Sequence, residues 1–144
     1  MARLFLDTNI FVYTFDSSAQ EKQRIARALI EDALRLRNAV VSYHVVQEFL
    51  NVALRRFRPR LPVSETRTYL DRVLMPMCEV YPDARLYTEA LTIAEETGWS
   101  FYDCLIMSSA VAARCDSLIS ENLQDNRVVH GVKVRNPFRS RRMP

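Results

Sequence analysis

The chain alternates short apolar runs with longer segments in which apolar residues recur every three or four positions, a pattern that predicts strands separated by helices. Arg3 to Leu6 reads as a short buried strand that delivers a polar turn, Asp7-Thr8-Asn9, where Thr8 or Asn9 can cap the next element. From Ala19 to Arg37, Ile25, Leu29, Ala33 and Leu36 recur at helical spacing with charges on the other side, which predicts an amphipathic helix. Ala39 to Ser42 reads as a second strand. Val45, Phe49, Val52, Ala53 and Phe57 form one stripe of a helix that stops before Pro59 and Pro62. Val63 to Leu74 reads as helical, Cys78 to Tyr81 as a third strand, and Ala84 to Thr97 as a helix closed by Gly98. Ser100 opens a helix from Phe101 to Ala113 so uniformly apolar that it must be buried on most sides. Strands around Leu118 and Ile119 and from Val132 to Val134 complete the series.

Strands separated by helices imply right-handed crossovers, a parallel sheet and helices on both of its faces, so the fold class is α/β. In such sheets ligands gather beyond the carboxyl ends of the strands, which is where Asp7 falls. A length of 144 residues, about half of them apolar, suits one domain. It is expected over residues 1–138, with a basic tail at 139–144.

The net charge of +3 says little, but its distribution is uneven. Arg55, Arg56, Arg58 and Arg60 lie together, and Arg135, Arg139, Arg141 and Arg142 crowd the end of the chain. Arginine forks suit phosphate oxygens, although such runs are also ordinary solvated surface. Cys78, Cys104 and Cys115 are odd in number and lack metal-knuckle spacing, which points to a reducing, cytoplasmic setting. Neither a signal peptide nor an apolar run of membrane-spanning length is visible, so no membrane association is expected.

Three acids occupy positions where burial would ordinarily exclude charge. Asp7 ends a buried strand, Glu48 lies between Val45 and Val52, and Asp103 opens the most apolar helix. Each has a plain structural explanation: a helix cap at Asp7, a rim position at Glu48, a capping box with Ser100 at Asp103. Together they sit where this topology can bring them to one sheet edge. Two carboxylates about 5 Å apart repel by roughly 3 kcal/mol at an effective dielectric of about 20, so three of them call for protonation or a bound cation. Oxygen ligation suits Mg²⁺ or Mn²⁺, and His44 and His130 form no zinc motif. Two glycines cannot supply a phosphate-binding loop or a dinucleotide fingerprint, and no nucleophile elbow surrounds Ser42, Ser100 or Ser120.

Phe5-Leu6-Asp7-Thr8-Asn9, Ser42 through Glu48, and Phe101-Tyr102-Asp103 resemble, in order and spacing, the three acidic motifs of PIN domains. The similarity continues through Leu118-Ile119-Ser120-Glu121-Asn122 to Val134-Arg135-Asn136-Pro137-Phe138 and is closest to VapC-like toxins of bacterial toxin-antitoxin pairs. The resemblance implies a three-layer α/β/α sandwich with a mainly parallel sheet of about five strands. It implies a divalent-metal endoribonuclease, usually a homodimer, held inactive by a small antitoxin. Carried over, Asp7, Glu48 and Asp103 are metal ligands for one or two ions, with Asn9 and Ser120 supporting them. Where the family has a fourth aspartate this chain has Asn122, so Asp125, or else Glu121, is expected to fill that role. Arg55, Arg56, Arg58 and Arg60 would hold RNA, and Tyr43, Trp99, Phe101 and Tyr102 are either core residues or platforms for bases. The rivals are a PIN-like module that binds RNA or protein without cutting, kept open by Asn122, and a phospho-receiver or phosphatase built on Asp7, which would want a second aspartate at Asn9.

Overall fold

The computed structural model describes residues 1–139. The elements run β1 (Leu4–Leu6), α1 (Thr8–Tyr13), α2 (Gln20–Leu36), β2 (Ala39–Ser42), α3 (Tyr43–Arg55), α4 (Val63–Tyr69), α5 (Met75–Met77), β3 (Cys78–Val80), α6 (Ala84–Thr97), α7 (Phe101–Ala112), β4 (Ser117–Ile119), β5 (Val128–Val129) and β6 (Val132–Arg135). The strands form one sheet in the order β3-β2-β1-β4-β6-β5, parallel throughout except for the β5–β6 pair. Phe5, Leu6, Val40, Val41 and Leu118 are buried because their strands are flanked within the sheet and covered by helices.

The strand order decides where a site can form. From β1 the chain winds outward to β2 and β3, then returns over them to place β4 on the other side of β1. The winding therefore reverses between β1 and β4, and the segments leaving these two strands diverge and open a crevice. Asp7 and Ser120 immediately succeed the two strands and flank that crevice.

The helices form largely where the pattern places them, for local reasons. Ser42 caps α3 by accepting a hydrogen bond from the amide of Val45, and Gly98, at φ 72°, ends α6 in the left-handed conformation that glycine favours. Residues 104 to 110 of α7 are all buried, and its Ser108 and Ser109 hydroxyls are satisfied by donating to the carbonyls of Leu86 and Leu105.

Three details differ from the sequence expectation. The buried stripe of α2 is Ala26-Ile30-Ala33, rotated from Ile25 and Leu29, which are only partly buried. The predicted helix from Val63 to Leu74 widens to a π-helical turn over Leu70–Leu74, just before Pro76, which has no amide proton to continue the ladder. The sheet has a sixth strand, since Val128–Val129 folds back on Val132 through His130 and Gly131, at φ 48° and 85°. The His130 ring holds this hairpin to α6, with Nδ1 2.5 Å from Glu89 and Nε2 2.8 Å from Glu96.

Candidate active site

Asp7 is 8% exposed, and its placement results from β1 ending where α1 begins. Oδ1 accepts a hydrogen bond from the Thr8 amide at 2.7 Å and Oδ2 one from the Ser120 hydroxyl at 2.7 Å. The capping residue of α1 and the expected acid of the first motif are thus the same residue. Burial pushes the Asp7 pKa above the ordinary carboxylate value against these two hydrogen bonds, and the charges of Glu48 and Asp103 push it the same way. The acids of the other two motifs are thus near enough to act on Asp7 through their charge.

Glu48 reaches the site from the middle of α3, and Asp103 from the first turn of α7. The Ser100 hydroxyl accepts from the Asp103 amide at 3.3 Å, but among the described residues the Asp103 carboxylate makes no hydrogen bond in return, so the capping box is half formed. The His44 ring stacks on Tyr102 with centroids 5.2 Å apart and planes 12° apart. His44 lies one turn before Glu48, and Tyr102 is next to Asp103, so this stack sets α3 and α7 against each other at the level of the two acids.

The acids do not close into a cage. Among the described residues no three His, Cys, Asp or Glu side chains form a group able to hold an ion, and the Glu48 side chain, 49% exposed, leans to within 4.0 Å of His44 Nε2. The donor chemistry still fits a hard cation. Asp7 and Asp103 keep free carboxylate lone pairs, and both polar atoms of the Asn9 amide are buried without a protein partner.

Both candidates for the fourth acidic position have protein partners of their own. Asp125 Oδ1 accepts from the Asn136 amide at 2.9 Å and Oδ2 from Arg139 Nη1 at 3.2 Å, and these contacts hold its pKa below the ordinary value. Glu121 accepts from the Tyr13 hydroxyl at 2.5 Å and pairs with Lys22; burial alone would raise its pKa, but the two donors outweigh burial and lower it. Neither is among the largest influences on the Asp7 carboxyl. Both are engaged in fastening the chain after β4, and Asn122, which is exposed, reaches the site only through its backbone amide, which donates to Ser120 Oγ at 3.2 Å.

A family model described as the PIN domain matches residues 4–128. The chain belongs to the PIN domain family. No curated protein sequence matches it. Among solved structures, this PIN domain is similar to a toxin-antitoxin complex from Klebsiella pneumoniae, at 20% identity and TM-score 0.66 over 94% of this chain and 98% of that one. It is also similar to VapBC2 from Rickettsia felis bound to a DNA fragment from their promoter, at 20% identity and TM-score 0.61 over 92% and 97% of the two chains. FitAcB from Neisseria gonorrhoeae aligns at 18% identity and TM-score 0.63 over 94% and 98%. At these identities the likeness is one of fold, a PIN-like α/β/α sandwich around a mostly parallel sheet.

Arg55, Arg56, Arg58 and Arg60 of this PIN domain are exposed at the end of α3 and in the loop beyond it, and none forms a salt bridge among the described residues. Arg55 is seven residues from Glu48, roughly 10 Å along the helix axis. Phe138 packs on Tyr13 with centroids 5.0 Å apart, so the domain is tied down through Arg139. Arg141 and Arg142, in the expected basic tail, lie outside the described residues. Sequence reasoning missed the His44–Tyr102 stack and the Lys22–Glu121 pair, because neither arises from a periodicity or a motif.

Proposed function

We propose that this PIN domain is a divalent-metal-dependent endoribonuclease, the toxin of a toxin-antitoxin pair, with Asp7, Glu48 and Asp103 as its acidic site. The observation that carries the reading is the buried Asp7 carboxylate, bonded by Ser120 and Thr8 at the point where the sheet reverses its winding, close enough to Glu48 and Asp103 to feel their charge and with no Lys or Arg partner among the described residues. A buried structural carboxylate is normally offset by a base; one that has further acids nearby instead is the mark of a site suited to a positive ligand.

Asp7, Asp103 and Glu48 would hold Mg²⁺ or Mn²⁺, and the Asn9 amide would hold water or a weak ligand bond beside them. A divalent ion there supplies Lewis-acid polarisation of a phosphodiester and generates a nucleophile from water near neutral pH. Ser120 fixes the Asp7 carboxylate by donating to Oδ2 and so keeps its other lone pairs directed outward. The four arginines beyond α3 would meet the phosphates of an RNA strand and offset its repulsion by the acids. A homodimer and a small antitoxin partner belong to the same reading, and the partner is supported by the toxin-antitoxin complex from Klebsiella pneumoniae that shares this fold. No described helix is long and apolar enough to cross a membrane.

Incubation of the protein with RNA in Mg²⁺ or Mn²⁺, with and without chelator, tests the proposal. Metal-dependent cleavage that vanishes in Asp7→Asn and Asp103→Asn supports it, and cleavage that persists in either variant overturns the assigned site. A second reading, binding without cutting, is favoured by the engagement of Glu121 and Asp125 elsewhere. RNA binding with no cleavage in any metal would establish it instead.

A further inference from the structure

Two side-chain contacts tie the β5–β6 hairpin to the helices beside it. At one, the Arg127 guanidinium lies 5.8 Å from the centre of the Trp99 ring, in the connection between α6 and α7. At the other, His130 reaches α6: Nδ1 is 2.5 Å from Glu89 Oε1, and Nε2 is 2.8 Å and 3.2 Å from the two carboxylate oxygens of Glu96. Glu89 and Glu96 are two turns apart on one face of α6, so each ring nitrogen meets a different carboxylate. The ring keeps 29% of its side chain in solvent, which lets it exchange a proton without unfolding.

We propose that His130 is a proton-operated tether, which as an imidazolium binds the hairpin to α6 and on losing its proton releases the turn and β5 from that helix. The geometry carries the inference. Ionised carboxylates only accept hydrogen bonds, and a neutral imidazole has one N–H, so a ring with a carboxylate at each nitrogen is satisfied only when both nitrogens are protonated. Loss of the proton leaves a lone pair facing one of the two acids. The turn has little else to hold it. His130 stands at φ 48°, in the left-handed region that favours glycine, β5 is two residues long, and a contact such as that of Arg127 with Trp99 is weak where solvent reaches it. β6, by contrast, stays paired with β4 along the sheet, so release is confined to the turn and β5. The charged surroundings of the ring are simple. On α6, Glu96 and Glu89 raise the His130 pKa above its ordinary value against burial, which lowers it. The hairpin adds Arg127 and Lys133, neither among the largest influences on the ring, and α7, packed on α6 and β6, has no charged residue between Asp103 and Arg114. A raised value sets the direction: the tether is fully in place below 6.5 and is lost as pH rises through the folded value.

The tether is independent of the nuclease reading, and its test needs no RNA. Trp99 is the one tryptophan of the chain and meets Arg127 of the hairpin, so its fluorescence reports the release. Over a range of about pH 5.5 to about pH 9, which spans a raised histidine value, the emission of the full chain is expected to shift to the red in a one-proton transition with its midpoint above 6.5. Far-UV circular dichroism stays constant through it. His130→Asn, whose side chain takes no proton and suits a left-handed backbone, shows no such transition. Glu89→Gln combined with Glu96→Gln lowers the midpoint by about one unit, a tenfold loss of proton affinity. Proton NMR of the wild type supplies a second reading, since the chain has two histidines and the ring resonance absent from His130→Asn identifies His130. A His130 midpoint at or below 6.5 overturns the tether, as does a midpoint unmoved by the two glutamines. So does an emission transition that persists in His130→Asn, or a wild-type emission that stays constant while the ring titrates.

Discussion

Asp7 and Glu121 are carboxylates at the same edge of the sheet, one just beyond β1 and the other just beyond β4, yet their surroundings are opposite. Asp7 is buried with hydrogen bonds and, among the described residues, no Lys or Arg partner, and Glu48 and Asp103 add to its unfavourable field. Glu121 is met by Lys22 and Tyr13 and held in its charged form. Two acids within a few residues of one crevice therefore divide the labour: one stores unbalanced charge, and the other is neutralised to fasten the chain. Composition cannot separate them, because only the partners of each carboxylate differ. Asp125, closed off by Asn136 and Arg139, falls with Glu121.

The sharpest way to break the contrast is to remove the charge at Asp7. Asp7→Asn is expected to reduce cleavage more than about 100-fold, beyond the effect of losing a residue that merely supports a ligand. The same variant should unfold at a higher temperature in chelator. The raised pKa sets the sign: below the ordinary value of 3.8 the carboxyl is neutral folded or unfolded, and as pH rises above it the folded state is penalised for the buried charge. The gain of the variant over wild type should thus be absent at the acid end and grow with pH; a gain that shrinks with pH would contradict the assignment.

Next in size, Ser120→Ala takes away the hydroxyl that donates to Asp7 Oδ2 and should weaken Mn²⁺ binding by about 10 to 100-fold in isothermal titration. Unchanged affinity would make Ser120 a packing residue only. Adding charge sharpens the contrast from the other side. Asn122→Asp places a carboxylate on the exposed loop whose amide touches Ser120, and Mn²⁺ affinity should rise about fivefold, the upper range for a surface charge. Weaker binding would show that the fourth position faces away from the ion.

The smallest effect on activity is expected from the fastened acid. Glu121→Gln should leave cleavage within about threefold, less than 1 kcal/mol of transition-state energy, while lowering the urea midpoint. Because the Glu121 pKa is lowered in the folded protein, this stabilisation is present above the unfolded value of about 4.5 and is lost as pH falls through the folded value. A collapse of cleavage in a folded Glu121→Gln would return this residue to the reacting site.

The sequence made the architecture legible where one face of an element is apolar. The strands from β1 to β4, the caps at Ser100 and Gly98, and the burial of α7 all arise from local pattern. The strand β5 escaped because two residues carry no period and its turn uses His130-Gly131 in place of the commoner Asn-Gly. At the site, Asp7, Glu48 and Asp103 were legible as acids in apolar settings, and the structure brings the latter two to bear on Asp7. Their separation was not legible, since side-chain orientation in a field of like charges depends on neighbours such as His44 that no spacing reveals.

The shortness of both outer strands has its own consequence for how the molecule meets others. At one border of the sheet β5 offers two residues, and at the other β3 offers three before Pro82 interrupts it. A foreign strand would find too few free rungs to zip onto, which discourages templated aggregation. That leaves helical surfaces and loops as the faces this domain presents to other molecules.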